Sequence, residues 1–271
     1  MTDLIDINGA LVEGRSARLD PMDRGFTLGD AIFESLRVRD GRPEFAAEHL
    51  ARLEAAARVL ALVLPFGEDH VMDRIDRLIA TSGMADAALR LTVSRGPAAR
   101  GVAAPPAEHC RPTAVISLHP LPPARNAAVA AVTATVTRRN EHSPVSRIKA
   151  TPYLDSIIAL EEARSKGARD AVLLNTAGRV ASACYANLFA VIDGDLVTPP
   201  LDDGPLPGIT RAHLLAALGG AERSLTPEDL AHASEIFLTN SFGVRPVAVL
   251  DGRMLTPLPG AMTQKAQALV G

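Results

Sequence analysis

The chain has 271 residues, of which 47 % are hydrophobic and 22 % charged, and its formal net charge is −3. This length allows one large domain or two modest ones. The small net charge, without clusters of Lys and Arg, argues against nucleic acid or an anionic membrane as the main partner.

The two cysteines, Cys110 and Cys184, lie far apart and match no metal-ligand spacing. We therefore expect no metal site and no structural disulfide, as is typical of proteins in a reducing compartment. The first residues lack the basic and apolar segments of a signal peptide, and no apolar run approaches the length of a membrane span. These observations predict a cytoplasmic enzyme with no membrane partner.

The first half of the chain mixes strands and helices. LIDINGALVEG predicts a hairpin around Asn8-Gly9, and AIFESLRVRDGRPEF predicts a strand, a turn at Asp40-Gly41 and a returning strand. Apolar residues recur at helical spacing in HLARLEAAARVLAL, which predicts a helix with one buried stripe (Leu50, Leu53, Leu60, Leu64). VMDRIDRLIATSG predicts a second helix, and ALRLTVSRG and PTAVISLHP predict two more strands.

A proline-rich stretch, HPLPPARN, separates this half from the rest of the chain. It contains three prolines in residues 119–126, which is typical of a linker. We therefore predict an N-terminal α+β domain over 1–118 and a C-terminal α+β domain over 127–271 that carries Lys149. Clefts between domains are frequent sites for small molecules.

The second half again alternates strands and helices. AVAAVTATVTRRN predicts a strand, and YLDSIIALEEARSKG predicts a helix with an inward apolar face (Leu154, Ile157, Ile158, Leu160). Hairpin turns are predicted at Ala177-Gly178 and Asp193-Gly194. A helix is predicted to begin at Thr226-Pro227, because Thr is a good N-cap and Pro is favoured at the first helical position.

Lysine is rare here: the chain has three, against 25 arginines. Lys166 and Lys265 lie where a solvated charge is expected, whereas Lys149 lies in RIKATPY between Ile148 and Ala150, at a strand-to-helix junction. Burial there disfavours the charged ammonium, so the amine can attack a carbonyl, which an arginine cannot do. A lysine whose stem packs at a domain edge fits the same pattern, and the local sequence does not separate the two interpretations.

LPGIT leads into the helix RAHLLAAL and places Gly208, Ile209 and Thr210 at its first turn. The backbone amides and the hydroxyl of such a turn form a site of phosphate size, although every helix has such amides. Arg52 lies off the apolar stripe of its own helix, so the local pattern favours a solvated charge.

Six segments carry a resemblance to a known family, and they occur in that family's order. The segments are DRGFTLGDAIFESLRV (23–38), EHLARL (48–53), SRGPAARG (94–101), RIKATPYL (147–154), GRVASACYANLF (178–189) and LPGITR (206–211). The chain resembles the class IV aminotransferases, a group with D-amino-acid aminotransferases, branched-chain aminotransferases and aminodeoxychorismate lyases. The resemblance implies a two-domain α+β fold, pyridoxal phosphate as cofactor and a homodimer.

The resemblance also implies roles for individual residues. Lys149 resembles the lysine that holds the cofactor as a Schiff base and moves a proton during the reaction. Arg52, Ile209 and Thr210 resemble the phosphate ligands, which reverses the local interpretation of Arg52. Tyr153 matches a tyrosine near the pyridine oxygen, and a half-buried aromatic at a helix start is the equal alternative. Asn240 and Ser241 fall near the last phosphate ligand.

Ser182 departs from the family pattern. Family members carry a glutamate five residues before the Asn of the ANLF motif, where it pairs with the pyridine nitrogen, and here that position is Ser182. A serine donates or accepts a hydrogen bond but supplies no counter-charge. The resemblance then leaves slow transamination, a chemistry that needs less ring protonation, or cofactor binding with little catalysis. Glu34 or Glu141 is a candidate to replace the missing acid.

The substrate site is expected around Arg100 and Phe33. In SRGPAARGV, Arg100 resembles the arginine with which D-amino-acid aminotransferases hold the substrate carboxylate, although Val102 replaces a histidine of those enzymes. Phe33 is expected to line the pocket, and Cys184 and Tyr185 to have packing roles. The expected function is a pyridoxal-phosphate aminotransferase that moves an amino group from a small amino acid, D-amino acids favoured, to a 2-oxo acid. Aminodeoxychorismate lyase and a catalytically weak cofactor-binding protein are the alternatives.

Overall fold

The computed structural model describes residues 4–122 and 126–270. Contacts divide the chain into two compact units: Met1–Pro122 with Ile148–Pro152, and Pro123–Arg147 with Tyr153–Gly271. The sequence assigned Lys149 to the C-terminal domain, whereas these contacts group its segment with the N-terminal unit. Residues 123–125 of the predicted linker lie outside the described residues.

The first unit contains a six-stranded sheet with the order β2-β1-β6-β5-β3-β4. Its elements are β1 (Leu4–Ile7), β2 (Ala10–Glu13), α1 (Arg24–Leu28), β3 (Ala31–Arg39), β4 (Arg42–Pro43), α2 (Ala46–Val59), α3 (Glu68–Ser82), β5 (Ala87–Ser94) and β6 (Thr113–His119). Every pair in this sheet is antiparallel. The hairpin predicted at Asn8-Gly9 is confirmed, with Ile7 opposite Ala10.

Helices α2 and α3 contribute the apolar side chains that join the sheet in one hydrophobic core. Leu50 and Leu53 of α2 are buried as predicted, and the same core contains Ile75 and Leu78 of α3. The predicted stripe extends past the helix, because α2 ends at Val59. Along β3 the even-numbered residues from Ile32 to Val38 contribute Ile32, Leu36 and Val38 to this core, so Glu34 lies on the core-facing side of its strand.

The second unit contains a nine-stranded sheet with the order β12-β11-β10-β13-β14-β7-β8-β9, and β15 pairs with β14. Its elements are β7 (Val129–Thr133), α4 (Leu154–Ser165), β8 (Asp170–Leu174), β9 (Val180–Ala183), β10 (Asn187–Ile192), β11 (Asp195–Thr198), α5 (Ile209–Leu218), β12 (Ala221–Glu222), α6 (Pro227–His232), β13 (Glu235–Asn240), β14 (Gly243–Leu250), β15 (Arg253–Met254) and α7 (Ala261–Val270).

Two local predictions in this unit are confirmed. The turn at Asp193-Gly194 joins β10 to β11, and both residues have the positive φ that such a turn requires. Helix α6 begins with Thr226 as N-cap and Pro227 as its first residue, and Thr226 and Asp229 form a reciprocal capping box.

The predicted inward face of α4 is wrong. Leu154, Ile157 and Ile158 are exposed, and Leu160 is only partly buried, whereas Ser156, Ala159 and Ala163 are buried. Ala159 and Ala163 pack in a cluster that also contains Ala168, Ala171, Leu173 and Cys184. Small side chains allow a helix to approach a sheet closely, so the alanine face was the core face and the larger apolar side chains lie outside.

Within residues 4–122 and 126–270, no helix is long and apolar enough to cross a membrane.

Candidate functional site

Lys149 lies on a short extended segment that pairs with β3. The amide of Phe33 donates to the carbonyl of Lys149 over 2.9 Å, and the amide of Thr151 donates to the carbonyl of Ala31 over 3.0 Å. Ile32 and Ala150 form an isolated antiparallel bridge between these bonds. The lysine backbone is therefore fixed on both sides by a strand of the first unit.

The amine of Lys149 lies above an aromatic ring. Its Nζ is 4.6 Å from the centroid of Phe33, and the guanidinium carbon of Arg90 is 3.7 Å from the same ring. Phe33 is only 5 % exposed, so the ring is a fixed wall beside the amine. The sequence predicted that Phe33 lines the pocket, but it gave no signal for Arg90, which lies on β5 diagonally across from Phe33.

Arg52 is not the solvated charge that its local pattern favours. Its side chain is 11 % exposed and forms two hydrogen bonds to Glu34, from Nε over 2.8 Å and from Nη2 over 2.6 Å. His49, one helical turn before Arg52 on α2, places Nδ1 2.7 Å from Glu34. The sequence missed this group because Glu34 lies on β3, 15 and 18 residues away.

Arg100 lies on an exposed loop, and a buried arginine binds the backbone of the residues that follow it. Arg24, whose side chain is 5 % exposed, donates to the main-chain carbonyls of Gly101, Val102 and Ala103 over 3.0, 2.9 and 3.3 Å. It also binds Asp30 over 2.8 Å. The loop is therefore positioned by Arg24 of the DRG motif, a role that the motif alone does not reveal.

Asp30 joins Arg24 to Arg95, which donates to the same carboxylate from Nε over 2.7 Å and from Nη2 over 3.1 Å. Burial raises the pKa of Asp30, but the two guanidinium groups outweigh it and hold this pKa below its ordinary value. Arg95 also donates to the carbonyls of Leu60 and Ala61, after the end of α2. The base of the Arg100 loop is thus a rigid, charged network.

In the second unit, the N-terminus of α5 is tied to β10. Gly208 is the N-cap of α5, and no side chain caps the helix there. A Cβ at Gly208 would lie 1.9 Å from Oδ1 of Asn187, so only glycine allows this approach. Asn187 also donates from Nδ2 to the carbonyl of Leu206 over 2.9 Å. The first turn of α5 therefore presents its amides with a fixed direction.

The structure brings Thr210 together with the hairpin that contains Asn240 and Ser241. The hydroxyl of Thr210 donates to the carbonyl of Asn240 over 3.2 Å. Asn240 pairs with Gly243, so Ser241 and Phe242 form the turn between β13 and β14. Four of the predicted phosphate ligands (Ile209, Thr210, Asn240, Ser241) therefore belong to one neighbourhood of the second unit.

Ser182 is 6 % exposed and lies on β9 opposite Leu173. Both acids considered as replacements have other hydrogen-bond partners. Glu34 is bound by Arg52 and His49, and Glu141 accepts from the amide and hydroxyl of Thr176, which lower its pKa to about 2.

The family pattern described as Amino-transferase class IV matches residues 31–250. The chain belongs to this family. Pyridoxal phosphate is the cofactor of class IV aminotransferases, so membership confirms the expected cofactor and the expected enzyme class, an aminotransferase.

Solved structures of this family share the fold and confirm the expected class IV α+β fold, a mixture of helices and a curled sheet. Branched-chain amino acid aminotransferase of Escherichia coli superposes with a TM-score of 0.90 at 26 % identity, over 98 % of this chain and 93 % of that chain. 4-Amino-4-deoxychorismate lyase of Pseudomonas aeruginosa superposes with a TM-score of 0.84 at 31 % identity, over 98 % of each chain.

D-alanine aminotransferase of Bacillus licheniformis is 28 % identical over 96 % of this chain and 93 % of that protein. The three relatives thus represent the three branches that the sequence resembles. Similarity of this size therefore supports membership of the family but does not distinguish between the substrates of its branches, which depend on individual residues.

The second unit of this class IV chain has donors suited to a phosphate group. The amides at the first turn of α5 have no side-chain cap, and the turn of the neighbouring hairpin lies beside them through the bond of Thr210 to Asn240. Among the described residues, the buried hydroxyl of Thr239, beside Asn240, has no hydrogen-bond partner. A closely approached glycine, uncapped amides and hydroxyls together fit the phosphate of pyridoxal phosphate.

A buried charged pair, Asp170 and Arg245, also has no signal in the sequence and lies against the loop that follows Ser182. Asp170, which is fully buried, accepts from the amide of Cys184 over 3.2 Å and from Arg245 over 2.7 Å. Arg245 also donates to the hydroxyl of Tyr185 over 2.9 Å and lies 4.7 Å from its ring centroid. Asp170 and Arg245 thus fix the loop between β9 and β10, and Tyr185, predicted to have a packing role, is half exposed on it.

Proposed function

We propose that this class IV enzyme transfers an amino group from a small amino acid, with D-amino acids favoured, to a 2-oxo acid. Lys149 is the residue that binds the cofactor covalently and moves the proton at the reacting carbon. The observation that carries this assignment is the position of Lys149: its backbone pairs with β3, and its Nζ lies 4.6 Å from the centroid of the Phe33 ring. A lysine with a fixed backbone supports this assignment, because attack on a carbonyl needs an oriented amine.

The remaining assignments follow the chemistry of each side chain. Arg52, Ile209 and Thr210 bind the phosphate, with Asn240 and Ser241 in the adjoining hairpin. Tyr153 and Ser182 contact the pyridine ring. Pyridoxal phosphate supplies an electron-withdrawing ring for the substrate. The role of the protein is to hold that ring in place, and Lys149 moves the proton.

Arg100 is assigned to the substrate carboxylate, and Phe33 to the pocket wall. An arginine offers two parallel N–H groups to a carboxylate, which suits an amino acid in one orientation. The Arg24 network supports this role because it fixes the backbone next to Arg100. The similarity to a D-alanine aminotransferase is the second support for a D-amino acid.

The visible absorption of the protein loaded with pyridoxal phosphate tests this function. D-Alanine or L-leucine is added in separate samples, and we expect D-alanine to bleach the visible band as the cofactor takes the amino group. The Lys149→Ala variant is expected to lose that band. Lys166→Ala is the matched control, because Lys166 is an exposed lysine paired with Glu162 on α4. A normal band in Lys149→Ala refutes the assignment of Lys149.

A lyase that forms 4-aminobenzoate and pyruvate from aminodeoxychorismate is the second candidate. Its support is the 31 % identity to the Pseudomonas aeruginosa lyase over nearly the whole of both chains. Release of pyruvate from aminodeoxychorismate, followed by oxidation of NADH with lactate dehydrogenase, distinguishes the two activities. Rapid pyruvate release without any response to D-alanine or L-leucine favours the lyase.

Catalytically weak cofactor binding is the third candidate, and its support is Ser182. A serine hydroxyl cannot hold a protonated pyridine nitrogen as a carboxylate does. Ser182→Glu is expected to increase the rate of amino transfer if the missing charge limits it. A Ser182→Ala variant that matches the parent shows that the hydroxyl has no role in the ring's environment.

We also infer a cytoplasmic homodimer. Leu154, Ile157 and Ile158 form an exposed apolar face on α4, and apolar faces of this kind are typical of protein contacts. Light scattering behind size exclusion measures the mass, and Ile157→Glu is expected to shift it towards the monomer. Cell fractionation tests the location.

A further inference from the structure

Three ionisable side chains form a buried group in the first unit. Glu34 is 1 % exposed on its side chain, His49 2 % and Arg52 11 %. The Glu34 carboxylate accepts from Nε and Nη2 of Arg52 and from Nδ1 of His49, over 2.6 to 2.8 Å. Buried ions are costly unless they are paired and hydrogen-bonded, and here all three bonds converge on one carboxylate.

The charges of this group balance. Burial raises the pKa of Glu34, but the hydrogen bonds from Arg52 and His49 outweigh it and hold the pKa below its ordinary value. Burial lowers the pKa of His49, and Glu34 offsets only part of this effect. At neutral pH the group therefore consists of a carboxylate, a guanidinium and a neutral imidazole that donates its Nδ1 hydrogen. A neutral imidazole adds a third hydrogen bond without adding a second positive charge.

The geometry fixes the direction of Arg52. A guanidinium has five N–H groups in one plane, and Glu34 accepts from the edge formed by Nε and Nη2. The edge formed by Nη1 and the outer hydrogen of Nη2 is therefore directed away from Glu34. Holding the long arginine side chain in one conformation before a ligand binds reduces the entropy lost on binding.

The same strand also holds Lys149. Phe33, the neighbour of Glu34 in β3, donates its amide to the carbonyl of Lys149. Through its backbone and through Glu34, β3 thus fixes both the lysine and the arginine that the proposed function assigns to the cofactor. This common support distinguishes the group from an ion pair elsewhere in the core, such as that of Asp6 and Arg74.

We propose that Glu34 and His49 are positioning residues that hold Arg52 in the orientation in which it binds the cofactor phosphate. This inference rests on the proposed function, because it takes from it the role of Arg52. It makes a prediction opposite to that of simple charge competition. If Glu34 only neutralised Arg52, its removal would strengthen phosphate binding; if it positions Arg52, its removal weakens phosphate binding.

Two ligands that differ only in the phosphate test this proposal. The purified full-length chain is titrated with pyridoxal phosphate and with pyridoxal, and the dissociation constants are obtained from the absorption of the bound form. Glu34→Gln keeps the size of the side chain and removes its charge. We expect it to weaken pyridoxal phosphate about tenfold or more, which is a change typical of a lost charge-assisted hydrogen bond, and to leave pyridoxal unchanged.

A double-mutant cycle separates positioning from general damage. In an Arg52→Met background, Glu34→Gln is expected to have no further effect on pyridoxal phosphate, because there is no guanidinium to position. His49→Leu is expected to weaken pyridoxal phosphate selectively, and His49→Asn, whose amide can donate in place of Nδ1, to restore part of the affinity. The histidine pair also keeps the test possible if Glu34→Gln fails to fold, as judged by circular dichroism.

The outcomes that overturn the proposal are distinct from failure of the proposed function. Tighter binding of pyridoxal phosphate by Glu34→Gln, equal weakening of both ligands, or a persistent effect in the Arg52→Met background each refutes positioning. An unchanged affinity in Arg52→Met refutes the role of Arg52 and the inference, while Lys149 and the cofactor stand. Failure of the unmodified chain to bind pyridoxal phosphate refutes the proposed function and the inference together.

Discussion

Replacing Gly208 with alanine tests whether the first turn of α5 depends on its contact with Asn187. The added Cβ would lie 1.9 Å from Oδ1 of Asn187, about 1.5 Å short of ordinary van der Waals contact. Asn187 cannot retreat without loss of its 2.9 Å hydrogen bond to Leu206. Either the helix terminus or the asparagine must therefore move by more than 1 Å.

The expected cost is that of overpacking in a close contact, about 1–3 kcal/mol. For a chain of this size, this corresponds to a fall in Tm of about 2–4 °C per kcal/mol. Because a displacement of 1 Å at a binding site is expensive, we also expect the dissociation constant of pyridoxal phosphate to rise at least about tenfold.

Gly67→Ala is the matched control for this experiment. Gly67 is also the N-cap of a helix, α3, it has a negative φ of −89°, and a Cβ there would have no atom within 4 Å. The intrinsic effect of alanine at an N-cap is therefore common to both variants. The difference between their melting temperatures, measured by circular dichroism, gives the cost of the contact.

Removal of Asn187 should relieve the contact. In the double variant Gly208→Ala, Asn187→Ala the clash is absent, so the two single costs should add to more than the cost of the pair. If Gly208→Ala and Gly67→Ala lose the same stability and the double variant shows no coupling, the contact with Asn187 does not constrain α5 and the reasoning is refuted.

Three further expectations concern buried or hydrogen-bonded groups. Asp6 is fully buried and paired with Arg74 and Arg77, so the variant Asp6→Asn should lower the free energy of unfolding by about 3 kcal/mol. An unchanged urea midpoint would contradict this. Burial raises the pKa of Cys184 to about 12, so iodoacetamide at pH 8 should label it only after unfolding, as mass spectrometry of native and urea-treated samples will reveal. The Thr176 hydrogen bonds lower the pKa of Glu141 from 4.5 to about 2. A pKa that is lower in the folded state than in the unfolded state stabilises the fold at pH values above the unfolded-state pKa, and this stability is lost as the pH falls from 4.5 towards 2. In that range Thr176→Val should flatten the dependence of Tm on pH, and a slope equal to that of the parent would exclude the hydroxyl as the cause.

The features that the sequence predicted best are those decided over a few residues. The hairpin at Asn8-Gly9 and the N-cap of α6 at Thr226 depend on local backbone chemistry, so the residues themselves carry the information. The prediction of the buried face of α4 was wrong because the sequence does not show what packs against this helix. Ala159 and Ala163 are buried against other small residues, and periodicity does not favour alanine over isoleucine as the inward residue.

The site shows the same division between local and long-range information. The sequence motifs single out Lys149 and the first turn of α5 as candidates, since each lies within a short segment. They did not identify the partners of Arg52 or the carbonyls bound by Arg24, because those contacts join residues 15 to 79 positions apart. A strand-to-helix ion pair has no periodic signal, and only the folded chain reveals it.

The way Arg24 holds the Arg100 loop has a consequence for how this enzyme can be altered. Arg24 binds three consecutive main-chain carbonyls, those of residues 101–103, and no side chain of that stretch. These hydrogen bonds do not involve the side chain of Val102, which is 85 % exposed, whereas Gly101 has a positive φ that favours glycine. Substitutions of the side chains at positions 100 and 102 are therefore expected to leave these three hydrogen bonds from Arg24 in place.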